Sequence, residues 1–592
     1  MKHPLAMRLV ALSAGVALVA LVFLARTPQA SACGCFTPPD PTVPIVQAGE
    51  RIAFQIADGK VTAHIQIQYS GSAEEFGWLL PLPSIPTLDV GTDELFAQLI
   101  AQTQPLYKVT REYNGDCWFD PSRGDSSSED AGGGNGDGAG APSDDGPLVF
   151  RDSVGPYDVA VLEADSKEPM LAWLDENGFF VPAGTDEAVE PYIREGAYFL
   201  ALKLLKGNDV GDIQPVVVEY ESDLPMIPIV LTGVAADPNM PVMVWVMGDS
   251  RAIPRNYHHT EINDAEIDWL NAGANYIEVI NKAVDEAERH QSFVTEYAGT
   301  SDVMKELLDY AGRFGDLNQL RATIDAVDYV EYLTYNGFTS GGNTPPFFQP
   351  AFTSQALAIL QKHLPVPPNL LEELIATGQN ANSYYLNFRY MVLEDVIYRP
   401  QLYEGLDLEF DPVEMTAELE ERVVNPTLAA GALFRDNGYM TRLFTTMSPN
   451  EMTRDPVFSF NADLDDVSNV HDARLVYYCG RIEEDSPTTT PAVLITESGW
   501  RLVMPNGTGE NPWTGLEWPK SHFIEVLREE GAAETVVDNT EEIRQYITGR
   551  GLVLPKDRDS GCSAAGGSGG ALGLGALLAL FLLGRRRSRP RV

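Results

Sequence analysis

The chain has 592 residues, 44% of them hydrophobic, with 85 acidic against 41 basic side chains and a formal charge of −44. That acidic excess argues against a nucleic-acid partner, because phosphate backbones demand Lys and Arg, and against adhesion of the body to anionic lipid. The hydrophobic content excludes a disordered acidic chain, and the length suggests three or four domains at roughly 100–200 residues each.

Residues 1–32 read as a cleaved secretory signal. Lys2 and Arg8 precede an apolar run over 9–24, and Ala30-Ser31-Ala32 supplies small residues for a cut after Ala32. The run is too short and too quickly interrupted for a membrane span. Cys33 follows the cut, so lipidation there is an alternative, although Ala30 stands where such sites usually carry Leu.

Residues 33–118 have the pattern of a β-rich module. Ile52, Phe54 and Ile56 alternate, Asp58-Gly59 supplies a tight turn, and Val61, Ala63, Ile65, Ile67 and Tyr69 alternate again, which predicts a hairpin. A strand follows over 76–80, then a helix capped by Thr92 with Asp93 and Glu94 in its first turn, then a strand over 106–113. Residues 119–147, rich in Gly, Ser and Asp, read as a disordered linker.

An α+β module is expected over 148–260, with strands at 157–162, 198–205, 215–221, 227–235 and 242–247 and a helix reaching Trp173. Residues 261–438 are expected to be mainly helical. Ile267, Leu270, Ala274, Ile277, Ile280, Val284 and Ala287 recur at three and four, predicting one long helix over 264–289. Further helices are predicted near 301–313, 324–334, 353–363 and 412–423. Residues 439–557 read as a small α+β region with strands at 475–478, 492–495 and 501–504 and a helix over 540–549. The fold class is therefore α+β: a strand-dominated N-terminal region, a mainly helical middle, a small α+β C-terminal region and a single apolar anchor helix within 558–592.

That tail reads Gly561-Cys562-Ser563, a Gly/Ala/Ser stretch, an apolar run over 571–583 and five Arg. The uncharged stretch 563–584 is long enough to cross a bilayer at about 1.5 Å per residue. The arrangement resembles the C-terminal sorting signal of myxobacterial surface proteins. The resemblance implies cleavage near Cys562, modification of that cysteine and delivery to the cell surface by export and sorting machinery. A permanent single-span anchor in the inner membrane, with the body facing the periplasm, is the alternative. Without the eight basic residues of the two ends, 33 basic face 85 acidic side chains, leaving the body at −52.

A second resemblance rests on internal motifs: Phe76-Gly77-Trp78-Leu79-Leu80-Pro81-Leu82-Pro83, Val154-Gly155-Pro156-Tyr157-Asp158, Trp173-Leu174 with Asn177-Gly178, Arg255-Asn256-Tyr257 with Ile267-Asp268-Trp269, and Phe293 to Gly299. Over roughly residues 33–300 the chain resembles the bacterial secreted family known as domain of unknown function 2330. No activity and no catalytic residue comes with that resemblance.

Setting Cys562 aside, Cys33, Cys35, Cys117 and Cys479 form an even set for an oxidising compartment. A Cys33–Cys35 bridge would strain its small ring, so the reading leans to Cys35–Cys117 and Cys33–Cys479. Two candidate binding clusters stand out. Arg251, Arg255, His258 and His259 form the one basic cluster of the acidic body and could hold an anion or, with Glu261, a metal. Their alternative is pairing with nearby acids to fix a loop. Asn461, Asp463, Asp465, Asn469 and Asp472 place oxygens at positions 1, 3, 5, 9 and 12 of an EF-hand-like frame, which makes calcium the one cofactor candidate. Position 6 is Asp466 rather than Gly, and a solvated acidic turn is the alternative. Trp513 and Trp518 could stack on sugar rings or pack beneath their own loop. The sequence thus points to an exported, surface-anchored, non-enzymatic protein for binding, adhesion or envelope structure, with a surface polysaccharide or protein as ligand. A secreted hydrolase or metal-dependent enzyme is the alternative.

Overall fold

The computed structural model describes residues 49–67, 78–114, 148–179, 184–205, 213–234, 236–340, 351–479, 490–509 and 511–552. The signal with Ala32, Cys33, Cys35, Cys117, the 119–147 linker, and the tail with Cys562 lie outside these residues.

Glu50–Ala57 and Lys60–Ile67 form the expected hairpin, with Asp58 (φ 53°) and Gly59 (φ 76°) both left-handed, as a type I′ turn requires. The hairpin belongs to a mixed sheet of ten strands. Their spatial order is Glu534–Asp538, Ser521–Val526, His258–Ile262, Ser292–Thr300, Tyr439–Met447, Met240–Gly248, Glu50–Ala57, Lys60–Ile67, Val216–Glu221 and Thr87–Val90. Segments that succeed one another in sequence are interleaved in this sheet. Tyr439–Met447 lies between Ser292–Thr300 and Met240–Gly248, and the last runs parallel to Glu50–Ala57. Alternation reveals a strand but not its neighbours.

The central strands are covered on both faces, which is why Met240–Gly248 reads as a continuous apolar run. Val242, Val244 and Val246 join Ile52 and Phe54 in a core against a second sheet, Trp78–Leu82, Tyr198–Leu204, Tyr157–Glu163 and Leu148–Val154. Met243, Trp245 and Met247 face the other way. They join a core with Leu95, Phe96 and Leu99 of the Asp93–Thr103 helix, and with Val279 and Ile280 of the Tyr276–Val284 helix. A third sheet completes it: Arg501–Met504, Ala492–Ile495, Val470–Tyr478 and Leu106–Asn114. Each fully buried side chain of this size contributes about 1.5–3 kcal/mol. A separate apolar core, from Phe314 to Val424, is built by helices that include Ala326–Tyr335, Ser354–His363, Pro368–Ala376 and Pro412–Leu419. The fold is mixed α+β.

Three expected elements differ. The helix predicted over 264–289 is only Tyr276–Val284, flanked by 3₁₀ turns. Ala272 (φ 50°) and Gly273 (φ 77°) break it, and a Cβ on Gly273 would lie 2.4 Å from the Tyr107 ring. The strand predicted over 227–235 is a short helix, Ile229–Thr232, because Pro228 cannot donate to a ladder and the Asp455 carboxylate takes the Val230 N–H (3.1 Å). The helix predicted over 301–313 contracts to a 3₁₀ turn, Ser301–Met304, with Glu306 left-handed beyond it. No helix among the described residues is long and apolar enough to cross a membrane, and the anchor helix expected within 558–592 lies outside them.

Candidate functional site

The His258–Ile262 strand connects the sequence candidates. It runs parallel to Ser292–Thr300 and antiparallel to Ser521–Val526. Alternation sends His259 and Glu261 to one face and His258 to the other, so the adjacent histidines do not converge. His259 Nδ1 lies 3.1 Å from Glu525 Oε2, and its Nε2 lies 3.5 Å from Arg251 Nη2. Arg251 also donates to Thr295 Oγ1 (3.2 Å) and to the Asp465 carbonyl (3.1 Å). Burial holds the His259 imidazole below its ordinary range despite Glu525, and the Arg251 charge adds to the effect. The neutral ring therefore donates Nδ1–H to Glu525 and accepts from Arg251 at Nε2. Arg255 diverges to an exposed pairing with Glu529 at 3.4 Å.

The two sequence candidates meet here. Arg251 stands opposite Asn461 where Arg251–Pro254 pairs with Phe458–Asn461. Several side chains of the EF-hand-like frame hold segments of the chain to one another. Asn461 Nδ2 donates to the carbonyls of Arg528 (2.7 Å) and Gly531 (2.8 Å), while its Oδ1 accepts from the Asp463 N–H. Asp463 Oδ2 takes the Gly531 N–H (2.7 Å). Asn469 Nδ2 donates to the carbonyls of Gln102 and Gln104, and Asp472 is exposed on the Val470–Tyr478 strand.

From the same strand, Glu261 reaches towards His522, Oε1 to Nδ1 3.9 Å. His522 lines a groove of about 670 Å³, together with Ser498, Trp500, Arg501, Trp513, Thr540, Arg544 and Thr548. Pockets of roughly 300–1,000 Å³ take small molecules and ligand segments. One wall is the tight turn between Ala492–Ile495 and Arg501–Met504, where Gly499 (φ 85°) allows the reversal. Asp264 pins that turn through Thr496 Oγ1 (3.1 Å) and the Ser498 N–H (2.8 Å). The other wall is the Thr540–Gly549 helix, whose fully buried Ile543 packs it into the core. Glu286 fixes its approach by accepting from Ser521 and Asn539 on either side of His522.

Two buried polar atoms of the lining, Trp500 Nε1 and His522 Nδ1, have no hydrogen-bond partner among the described residues. Each unmet group of this kind costs about 1–3 kcal/mol. The Trp500 ring meets His522 edge-on at 5.7 Å, and His522 Nε2 contacts Thr540 Oγ1 at 3.2 Å. Burial holds His522 below its ordinary range. Burial, and then the Glu525 and Asp264 carboxylates, push Glu261 up to about 7. Trp513 is 5% exposed and borders the groove, whereas Trp518 packs between Trp513 (5.6 Å) and Tyr546 (4.9 Å). Sequence reasoning missed Trp500, Arg501, His522, Thr540 and Arg544. One signal was legible: Thr540, Arg544, Ile547 and Thr548 recur at helical spacing along one face.

A family model described as "Uncharacterized protein conserved in bacteria (DUF2330)" matches residues 27–335. No curated protein and no solved structure matches the chain. The matched span contains Arg251 and His259, and also Asp264 and Glu286, which fix the walls of the groove, while the groove lining of 498–552 lies beyond it.

Proposed function

We propose that this chain, which belongs to the DUF2330 family of proteins conserved in bacteria, is an exported, surface-anchored protein that binds a glycan segment in the groove between the 496–500 turn and the Thr540–Gly549 helix. One observation carries this reading: the groove offers aromatic side chains beside two buried polar atoms, Trp500 Nε1 and His522 Nδ1, that have no hydrogen-bond partner among the described residues. Sugars present this combination in reverse. Their C–H faces lie on aromatic rings, and their hydroxyls both donate and accept. Arg501 and Arg544 add donors on the walls. Export and anchoring rest on the signal pattern ending at Ala32 and on the Gly-Cys, apolar and Arg sequence of the tail. Titrating the purified protein with soluble fragments of bacterial surface polysaccharide tests the reading. Saturable binding supports it, and a flat titration across neutral and acidic glycans removes it.

A second reading has its own observation. Glu261 at about 7, within 3.9 Å of His522, is a carboxyl that can hold or release a proton near neutrality beside the groove. A hydrolase using the groove would release reducing ends from those glycans, and Glu261→Gln would stop the release without loss of binding.

A further inference from the structure

We propose that Asp285, His290 and Glu451 form a site for one zinc-class divalent transition-metal ion. His290 Nδ1 lies 3.1 Å from Asp285 Oδ1 and 3.5 Å from Glu451 Oε1, and the three ligand atoms all fall within 4.8 Å of one another. Tetrahedral zinc, with bonds of about 2.0–2.1 Å, keeps neighbouring ligand atoms roughly 3.3–3.4 Å apart. The two separations from His290 bracket that edge.

The ligands come from chain segments far apart. Asp285 caps the C-terminal end of the Tyr276–Val284 helix, where the helix dipole gives a partial negative charge that favours a cation. Glu451 lies in the turn after Tyr439–Met447. Its Oε2 accepts the Ser448 N–H at 2.7 Å, which leaves Oε1 directed at His290 and orients the carboxylate as an outer-shell partner does. Thr446 donates to Asn281, tying the strand end to the helix, and Gln291 donates to Thr453 Oγ1 (2.9 Å) on the far side.

His290 faces the carboxylates only because Arg289 (φ 60°) and His290 (φ 59°) are both left-handed. Two successive non-glycine residues in that region cost more than a half-exposed ion pair returns. The side chains of His290, Asp285 and Glu451 are 43%, 36% and 13% exposed, so further coordination positions open to water. One imidazole with two carboxylates suits zinc and its neighbours. Calcium, by contrast, takes six to eight oxygens. The site is separate from the groove and does not depend on the glycan reading.

The exported protein, purified without a polyhistidine tag and stripped with a chelator, is titrated with Zn²⁺ by calorimetry and with Co²⁺ by visible absorption. The expected result is one equivalent of zinc and the intense absorption of low-coordinate cobalt. Asp285→Asn and Glu451→Gln, which preserve side-chain shape, should each weaken binding at least tenfold, as should His290→Ala. His258→Ala should leave it unchanged. Absence of saturable zinc binding overturns the proposal, as does wild-type affinity in both Asp285→Asn and Glu451→Gln.

Discussion

Arg442 and Glu296 are both fully buried and meet at 2.5 Å across adjacent strands of the ten-stranded sheet. Glu296 occupies the irregularity between Thr295 and Tyr297, where the register against Tyr439–Met447 shifts. The bulge re-aims its carboxylate into the core, where Tyr276 also donates to it at 2.5 Å. Arg442 in turn lies over the Trp245 ring, 5.4 Å from its centroid, and donates to Thr103 Oγ1 at 3.3 Å. Five elements, three strands and two helices, converge on this one pair.

Breaking a buried pair leaves an uncompensated charge, whereas replacing both partners with apolar groups is close to neutral. Glu296→Gln should therefore destabilise the protein by about 3–5 kcal/mol. The double variant Glu296→Leu/Arg442→Met should lose much less than the sum of its single changes. Urea unfolding of the four proteins measures the coupling, and additive losses would contradict a coupled pair.

Two carboxylates give opposite pH dependences. Glu50 borders a cavity of about 160 Å³ between the first and second sheets, and burial pushes it from 4.5 up to about 7 against a hydrogen bond from Thr232. Because the folded value is the higher one, its contribution is complete below 4.5 and is lost as pH rises through 7. Glu50→Gln should raise stability near pH 8 by up to about 3 kcal/mol and change little near pH 4. For Glu418 burial is overcome by hydrogen bonds from His363, Lys362 and Arg422, which hold it at about 2. Its contribution is present above 4.5 and is lost as pH falls towards 2, so Glu418→Gln should destabilise at neutral pH and not near pH 2. Melting curves across pH decide both signs.

Cys479 is buried and disulfide-bonded, with its partner outside the described residues. Cysteine spacing alone pairs Cys479 with Cys33, but the parallel register favours Cys117. Tyr478 stands opposite Asn114, the Cys479 N–H donates to the Asn114 carbonyl at 3.1 Å, and Cys117 follows three residues later. Three residues span at most roughly 10 Å, within reach of the Cα separation of about 7 Å or less that a disulfide requires. Peptide mapping without reduction should recover a 117–479 cross-link; a 33–479 cross-link would restore the original pairing.

Deleting residues 561–592 should release the body from the cell surface into the medium or periplasm, read by fractionation and immunoblot. Unchanged retention would shift the anchor to a lipidated Cys33.

Local elements were legible where pattern and punctuation agreed. The Asp58-Gly59 hairpin, the Thr92-capped helix and the strands at 492–495 and 501–504 all stand where predicted. The predicted 264–289 helix was not, because the apolar period continues through Ala272 and Gly273 while contact with the Tyr107 ring imposes the turn. The candidate site was legible in pieces only. Arg251 and Asp465 read as two unrelated clusters until strand pairing set them 3.1 Å apart. Trp500 showed nothing beyond a turn residue, since its unmet N–H exists only once His522 and the last helix close around it.

The most direct test of the glycan reading compares affinities of the wild type, Trp500→Phe and Trp500→Ala for the tightest-binding polysaccharide fragment. Phe keeps the ring and removes the N–H, so it should weaken binding by about twofold to tenfold, the worth of one hydrogen bond. Ala removes the ring as well and should weaken binding further. Equal affinity in all three proteins would contradict the groove as the binding site.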